Sequence, residues 1–184
     1  MPNKLRIPAA ILLSLLLTFS LNIKGQTGNP ETADHSRELD FMVGNWDVSA
    51  KILTPQNGYI SGSGTMKVRS ESETLLAEMR IKFQNFESNG TTKRRYDKAG
   101  KYWNVSWNPI GQQPVLNIEG KMKDGRFIEI DYGRDNRGAY IGRLVVFNIS
   151  TDRFSVRKDK IYDDGMIIPE IWMYEAVRQD TSNR

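Results

Sequence analysis

The sequence contains no cysteine and a single histidine, His35. The first absence excludes disulfides, thiolate nucleophiles and attachment through a lipid-modified cysteine. With so little imidazole there is also no Ser-His-Asp or Cys-His arrangement and no soft or imidazole metal site, so no metal is expected. Any catalysis would have to use Asp, Glu, Tyr, Lys or Arg. A long hydrophobic run is missing too. The longest, Ala9 to Leu21, is broken by Ser14, Thr18 and Ser20 and falls short of the roughly 20 residues of a membrane span. Charge of one sign is scarce once the N-terminus is set aside. Of 26 basic residues against 22 acidic ones, Lys4, Arg6 and Lys24 precede Gln26 with no acid among them, so the rest of the chain is close to neutral. It has no basic block interleaved with aromatics, which excludes the electrostatic footprint of a nucleic-acid binder. Lys93, Arg94 and Arg95 form the densest basic cluster and read as solvated residues of a strand edge.

What is present begins with an export signal. A positive start (Lys4, Arg6), a short apolar stretch and a small residue, Gly25, follow in the order of a cleavable secretory peptide. This reading gives a signal peptide over residues 1–25, no stable membrane anchor, and a secreted or periplasmic destination. Residues 26–36 are polar and Gly/Pro-containing, a flexible leader. Residues 37–179 are of the size of one domain with one core, and 180–184 form a disordered tail.

The domain reads as strands. Trp46, Val48, Ala50 and Ile52 alternate with Asp47, Ser49 and Lys51, the period of two of a half-buried strand. The pattern recurs through Ile60–Val68, Leu75–Phe83, Thr91–Tyr96, Lys101–Trp107, Val115–Met122, Phe127–Tyr132, Tyr140–Ile149, Phe154–Tyr162 and Glu170–Val177. Between them stand turn sequences: Thr54–Gly58, Glu87–Gly90, Asp97–Gly100, Lys123-Asp124-Gly125 and a polar loop over Gly133–Gly138. Only Ser36 to Val43 looks helical, as a short turn before the first strand.

Ten or so short strands joined by hairpins allow a closed up-and-down barrel or a two-sheet sandwich. The connections are too short for a Greek-key crossover, Gly62 and Gly64 mark a sharply bent strand, and the first and last strands are both apolar-patterned, as if paired. These details favour an all-β, antiparallel, up-and-down barrel.

Phe41-Met42-Val43-Gly44-Asn45-Trp46 resembles the Gly-x-Trp opening of lipocalin-like (calycin) barrels, in which a short helical turn leads into the first strand. The run Tyr96-Asp97-Lys98-Ala99-Gly100-Lys101-Tyr102, with Trp103 and Trp107, and the ending Trp172-Met173-Tyr174-Glu175-Ala176-Val177-Arg178 are similar to a bacterial secreted domain family of unknown function in that group. The resemblance spans residues 38–178. It implies that Trp46 packs across the closed end of the barrel against Arg178, a structural cation stacked on an aromatic face. The likeness extends toward nitrobindins, barrels that hold haem through a histidine. This chain departs from them, because its one histidine lies in the leader. No cofactor is expected.

A further aromatic set attracts a binding reading. Trp103 and Trp107 share a strand face with Val105, and Trp172 and Tyr174 share one with Glu170. Such rings suit a pocket for a flat or amphipathic ligand, or they simply fill a small barrel. Gly62, Gly64, Ala77, Gly120 and Gly142 are small enough to leave interior volume. The expected ligand-binding residues are therefore Trp103, Trp107, Tyr132, Glu170 and Trp172, placed at the open end. Two functions follow: binding of a small apolar or amphipathic molecule, or isomerase- or lyase-type chemistry on a small substrate or carbohydrate through Tyr and carboxylate groups. For the second, Tyr96, Asp97, Tyr132 and Glu170 are the residues to test. The sequence assigns no catalytic residue, ligand identity or oligomeric state.

Overall fold

The computed structural model describes residues 35–56 and 58–180; the expected signal peptide over residues 1–25, residues 26–34 of the expected leader and the expected tail over 181–184 lie outside the described residues. Two short 3-10 turns, His35–Arg37 and Asp40–Met42, precede ten strands. These are β1 (Gly44–Thr54), β2 (Gly58–Glu71), β3 (Thr74–Phe83), β4 (Glu87–Asp97), β5 (Tyr102–Pro109), β6 (Val115–Lys123), β7 (Arg126–Asp135), β8 (Gly138–Phe147), β9 (Arg153–Tyr162) and β10 (Ile167–Arg178). Each pairs antiparallel with its sequence neighbours, and β1 pairs with β10 from Trp46↔Arg178 to Ile52↔Trp172, so the sheet closes into a barrel and no sandwich forms.

Closure removes the unpaired edges of an open sheet, and alternation does the rest. Trp46, Val48 and Ala50 on β1 face inward, with Met66 and Val68 on β2 and Ala77, Ile81 and Phe83 on β3. At Gly64 on β2 a Cβ would lie 1.8 Å from the Arg80 carbonyl oxygen, so only glycine lets β2 approach β3 so closely. The β6–β7 hairpin places Asp124 (φ 51°) and Gly125 (φ 69°) in the left-handed region of a two-residue turn. At the β4–β5 turn the Asp97 carboxylate accepts the Ala99 and Gly100 N–H groups at 2.9 and 3.0 Å.

The turn expected at Glu87–Gly90 falls earlier than the sequence predicts. Glu87 to Gly90 belong to β4, and the chain reverses over Gln84–Phe86 instead. The Phe83 N–H donates to the Phe86 carbonyl and the two rings stack at 4.6 Å, so aromatic contact outweighs the turn propensity of Ser-Asn-Gly. Likewise β7 runs on to Asp135 and β8 starts at Gly138, which shortens the expected polar loop.

One end of the barrel is plugged. Trp46 is fully buried, donates its Nε1–H to the Met42 carbonyl (2.7 Å) and meets the Phe154 ring edge-on at 4.9 Å. The Arg178 guanidinium lies 4.2 Å from the Trp46 ring centre and donates to the carbonyls of Thr151, Val43 and Phe41. The cation thus ties the 3-10 segment and the β8–β9 turn to the last strand. Leu39 and Met42 complete the floor. The 3-10 segment is itself anchored, His35 Nδ1 meeting Glu38 at 2.5 Å with its ring 6.1 Å from that of Tyr96.

Candidate functional site

Above this floor the barrel encloses a cavity of about 290 Å³. Its apolar walls come from Ile52, Met66, Ala77, Met79, Val105, Trp107, Val115, Ile118, Leu144 and Trp172. Its polar groups are Ser88, Thr92 and Arg94 on β4, Glu129 and Asp131 on β7, Lys158 on β9 and Tyr174 on β10.

Two ion pairs lie on the inner face of the barrel. Arg94, 5% exposed, donates from Nε to Glu129 Oε1 at 2.8 Å, and Glu129 is equally buried. Strands β5 and β6 separate β4 from β7 in the sheet, so this bond bridges the interior. Lys158 donates to Asp131 across β8. That second pair depends on Gly142, which faces Asp131 in the register; a Cβ on it would lie 2.1 Å from Asp131 Oδ1. The glycine therefore makes room for a carboxylate to reach over β8. Gly62 and Gly120 behave similarly, being covered by the rings of Phe83 and Phe127. The expectation that these glycines leave empty volume is corrected: a cross-strand side chain fills each space.

Tyr174, 9% exposed, sits beside the Arg94–Glu129 pair, and burial pushes its hydroxyl up to about 12. The hydroxyl therefore stays protonated, and it has no hydrogen-bond partner among the described residues. Farther along β7 and β9, Asp135 accepts from Lys160 (2.7 Å) and Tyr162 (2.8 Å). These bonds hold its carboxyl down at about 2.

The five residues expected at a binding site separate. Trp107 and Trp172, both half-buried, line the cavity. Trp103 shares their inward orientation but lies at the closed end, 1% exposed and packed between Tyr96 and Phe127. Tyr132 is 75% exposed on the outside of β7. Its parity partners there are Ile128 and Ile130, while Phe127, Glu129 and Asp131 face in. The more apolar set of β7 is the outer one, which is why alternation misplaced the tyrosine.

Glu170 also stays out of the cavity. Between Ile168 and Trp172 the β10–β9 register shifts, Glu170 takes φ 53°, and its N–H donates to Asp159 Oδ1 at 2.9 Å. Burial pushes the Asp159 carboxyl up, but this N–H and Arg143 outweigh it and hold the group below its ordinary range. Pro169, lacking a donor, was the local signal for this bulge. The four residues named for acid–base chemistry are not assembled: Tyr96 and Asp97 lie at the closed end, Tyr132 outside, Glu170 in the bulge.

Sequence reasoning missed Arg94, Glu129, Asp131 and Lys158, and it placed Arg94 on a solvated edge where the structure buries it. A signal existed. Arg94 shares parity with Tyr96, Glu129 and Asp131 with Phe127, and Lys158 with Phe154 and Val156.

A closed ten-stranded antiparallel barrel, plugged by a tryptophan–arginine stack behind a short helical turn, fits a calycin-like fold. No protein-family model and no curated protein matches the chain. Among solved structures it is similar to an S-type phycobiliprotein lyase from Guillardia theta, at 10% identity and a TM-score of 0.58, over 83% of this chain and 96% of that one. It also aligns with a de novo designed fluorescence-activating β-barrel at 13% identity and a TM-score of 0.38, over 76% of this chain and 95% of that one. The first likeness supports the fold; neither assigns a family.

Proposed function

We propose that this chain is an exported barrel, of the secreted bacterial domain type its sequence resembles, that binds a small amphipathic molecule in its lumen. The observation that carries the reading is the cavity of about 290 Å³, lined mainly by apolar side chains with a few hydrogen-bonding groups among them. Ligand sites are mostly apolar concavities with a few placed polar groups, from about 300 Å³ upward. A cavity of about 150 Å³ holds benzene, so this one takes about a dozen non-hydrogen atoms. Half-buried Trp107 and Trp172 stand at its walls as reporters.

Titration of the protein with small aromatic and aliphatic amphiphiles should change tryptophan emission, and Trp107→Leu should weaken that response at least tenfold with the fold intact. A response unaltered by substitution of either cavity tryptophan would refute binding there. Export is tested separately: secreted material should begin near Gln26, and an intact Met1 on membrane-bound protein would refute it.

A further inference from the structure

Resting on the lumenal-binding reading, we infer that the ligand is uncharged, with a hydrogen-bond acceptor such as a carbonyl oxygen at one end and an apolar, preferably flat, body at the other. The first argument is charge balance. The cavity brings Arg94 and Lys158 against Glu129 and Asp131, and each cation is already committed to a carboxylate. A ligand carboxylate entering here would leave water, gain a cation that is already compensated, and meet two buried carboxylates in a medium of low dielectric. A ligand ammonium would meet the mirror-image difficulty. A neutral group avoids both.

The second argument is the surplus of donors. Arg94 bonds Glu129 through Nε, and its terminal amino groups make no hydrogen bond among the described residues. Tyr174 is nine-tenths buried, lines the cavity and has no partner for its hydroxyl among the described residues. Arginine offers donors only, and a phenol can donate, so the group that satisfies both is an acceptor. A donor that opens on the cavity loses its water when a ligand enters, so a site built to bond one oxygen rejects a ligand lacking it. The third argument is the remaining surface. Met66, Met79, Trp107 and Trp172 present thioether and ring faces, suited to an aromatic or polyene body. A monosaccharide, polar all round, would turn hydroxyls onto these groups without partners.

Three molecules of matched shape test this: 2-acetylnaphthalene, 2-naphthoate and 2-isopropenylnaphthalene. Calorimetric titration of the protein should rank the ketone at least tenfold tighter than the carboxylate and the hydrocarbon. Tyr174→Phe should reduce the ketone toward the hydrocarbon and leave the hydrocarbon unchanged. Because Arg94 is paired, its contribution is read in the double variant Arg94→Met/Glu129→Met, which removes both charges together and should also abolish the ketone preference. If 2-naphthoate binds tightest, the site is an anion site and the inference is overturned. Equal binding of ketone and hydrocarbon overturns it as well, while the cavity reading survives. If none of the three binds, both fall.

Discussion

The two halves of this barrel are made of the same ten strands and solve opposite problems. At the closed end, Trp46, Phe154, Leu39 and Met42 pack without charge inside, and the Arg178 cation lies across the tryptophan ring and donates to three backbone carbonyls. In the cavity half, the same inward positions carry Arg94, Glu129, Asp131 and Lys158. Alternate residues face the lumen along the whole of a barrel strand, so face is set by parity and chemistry by depth. Trp103 and Trp107 illustrate the point. They share one face of β5, yet the first is packed into the floor and the second borders empty space.

The largest expected effect is at the floor. Trp46→Ala removes a fully buried ring, its bond to Met42 and the seat of Arg178, and should cost about 5 kcal/mol, the upper end for emptying an aromatic core site. Denaturant unfolding measures it; a loss below about 2 kcal/mol would contradict the plug. Next comes the lumenal pair. Glu129→Leu alone strands a buried guanidinium and should cost about 3 kcal/mol, whereas Arg94→Met with Glu129→Met should cost about 1 kcal/mol or less, because apolar pairs replace buried ion pairs well. If the double variant is less stable than the single, the ion pair matters for stability more than for recognition. Arg178→Ala should cost about 2 kcal/mol, from the aromatic face and the carbonyls it satisfies. A double-mutant cycle with Trp46 should show non-additivity.

Acid separates the halves differently. Lys160 and Tyr162 hold Asp135 down at about 2 from an ordinary 3.8. A depressed carboxylate stabilises the fold above its unfolded value and loses that contribution as pH falls toward 2. Asp135→Asn should therefore weaken the protein at neutral pH and flatten its acid unfolding between about pH 4 and 2. Unchanged acid unfolding in the variant would show the contact to be absent in solution. Smallest of all, Tyr132→Ser on the outer surface should change stability by no more than about 0.5 kcal/mol and leave ligand titrations untouched.

The barrel was legible because ten alternating segments with short turns leave few other folds, and the Trp46–Arg178 contact because the two residues stand where the resemblance to lipocalin-like barrels implies such a stack. The cavity was only half legible. Trp107 and Trp172 could be named from shared faces, but alternation reads polar as outward, and β7 inverts that rule with Ile128, Ile130 and Tyr132 outside and Glu129 and Asp131 within. What decides the inversion is a pairing from β4 to β7 across the lumen and a glycine on β8 that admits a carboxylate. Neither is a local property of a strand. Glu170 failed for a different reason: Pro169 and a positive φ shift the register that alternation assumes to be constant.

The methionines test the division of the barrel most directly. Met66 and Met79 line the cavity, Met42 lies in the closed-end floor, and Met173 is on the other face of β10 from Trp172 and Tyr174. With methyl-labelled methionine, titration with 2-acetylnaphthalene should shift the Met66 and Met79 resonances along one saturating curve and leave Met42 and Met173 in place. Shifts confined to Met42 or Met173, or no saturating shift at Met66 and Met79, would contradict a ligand site in the lumen.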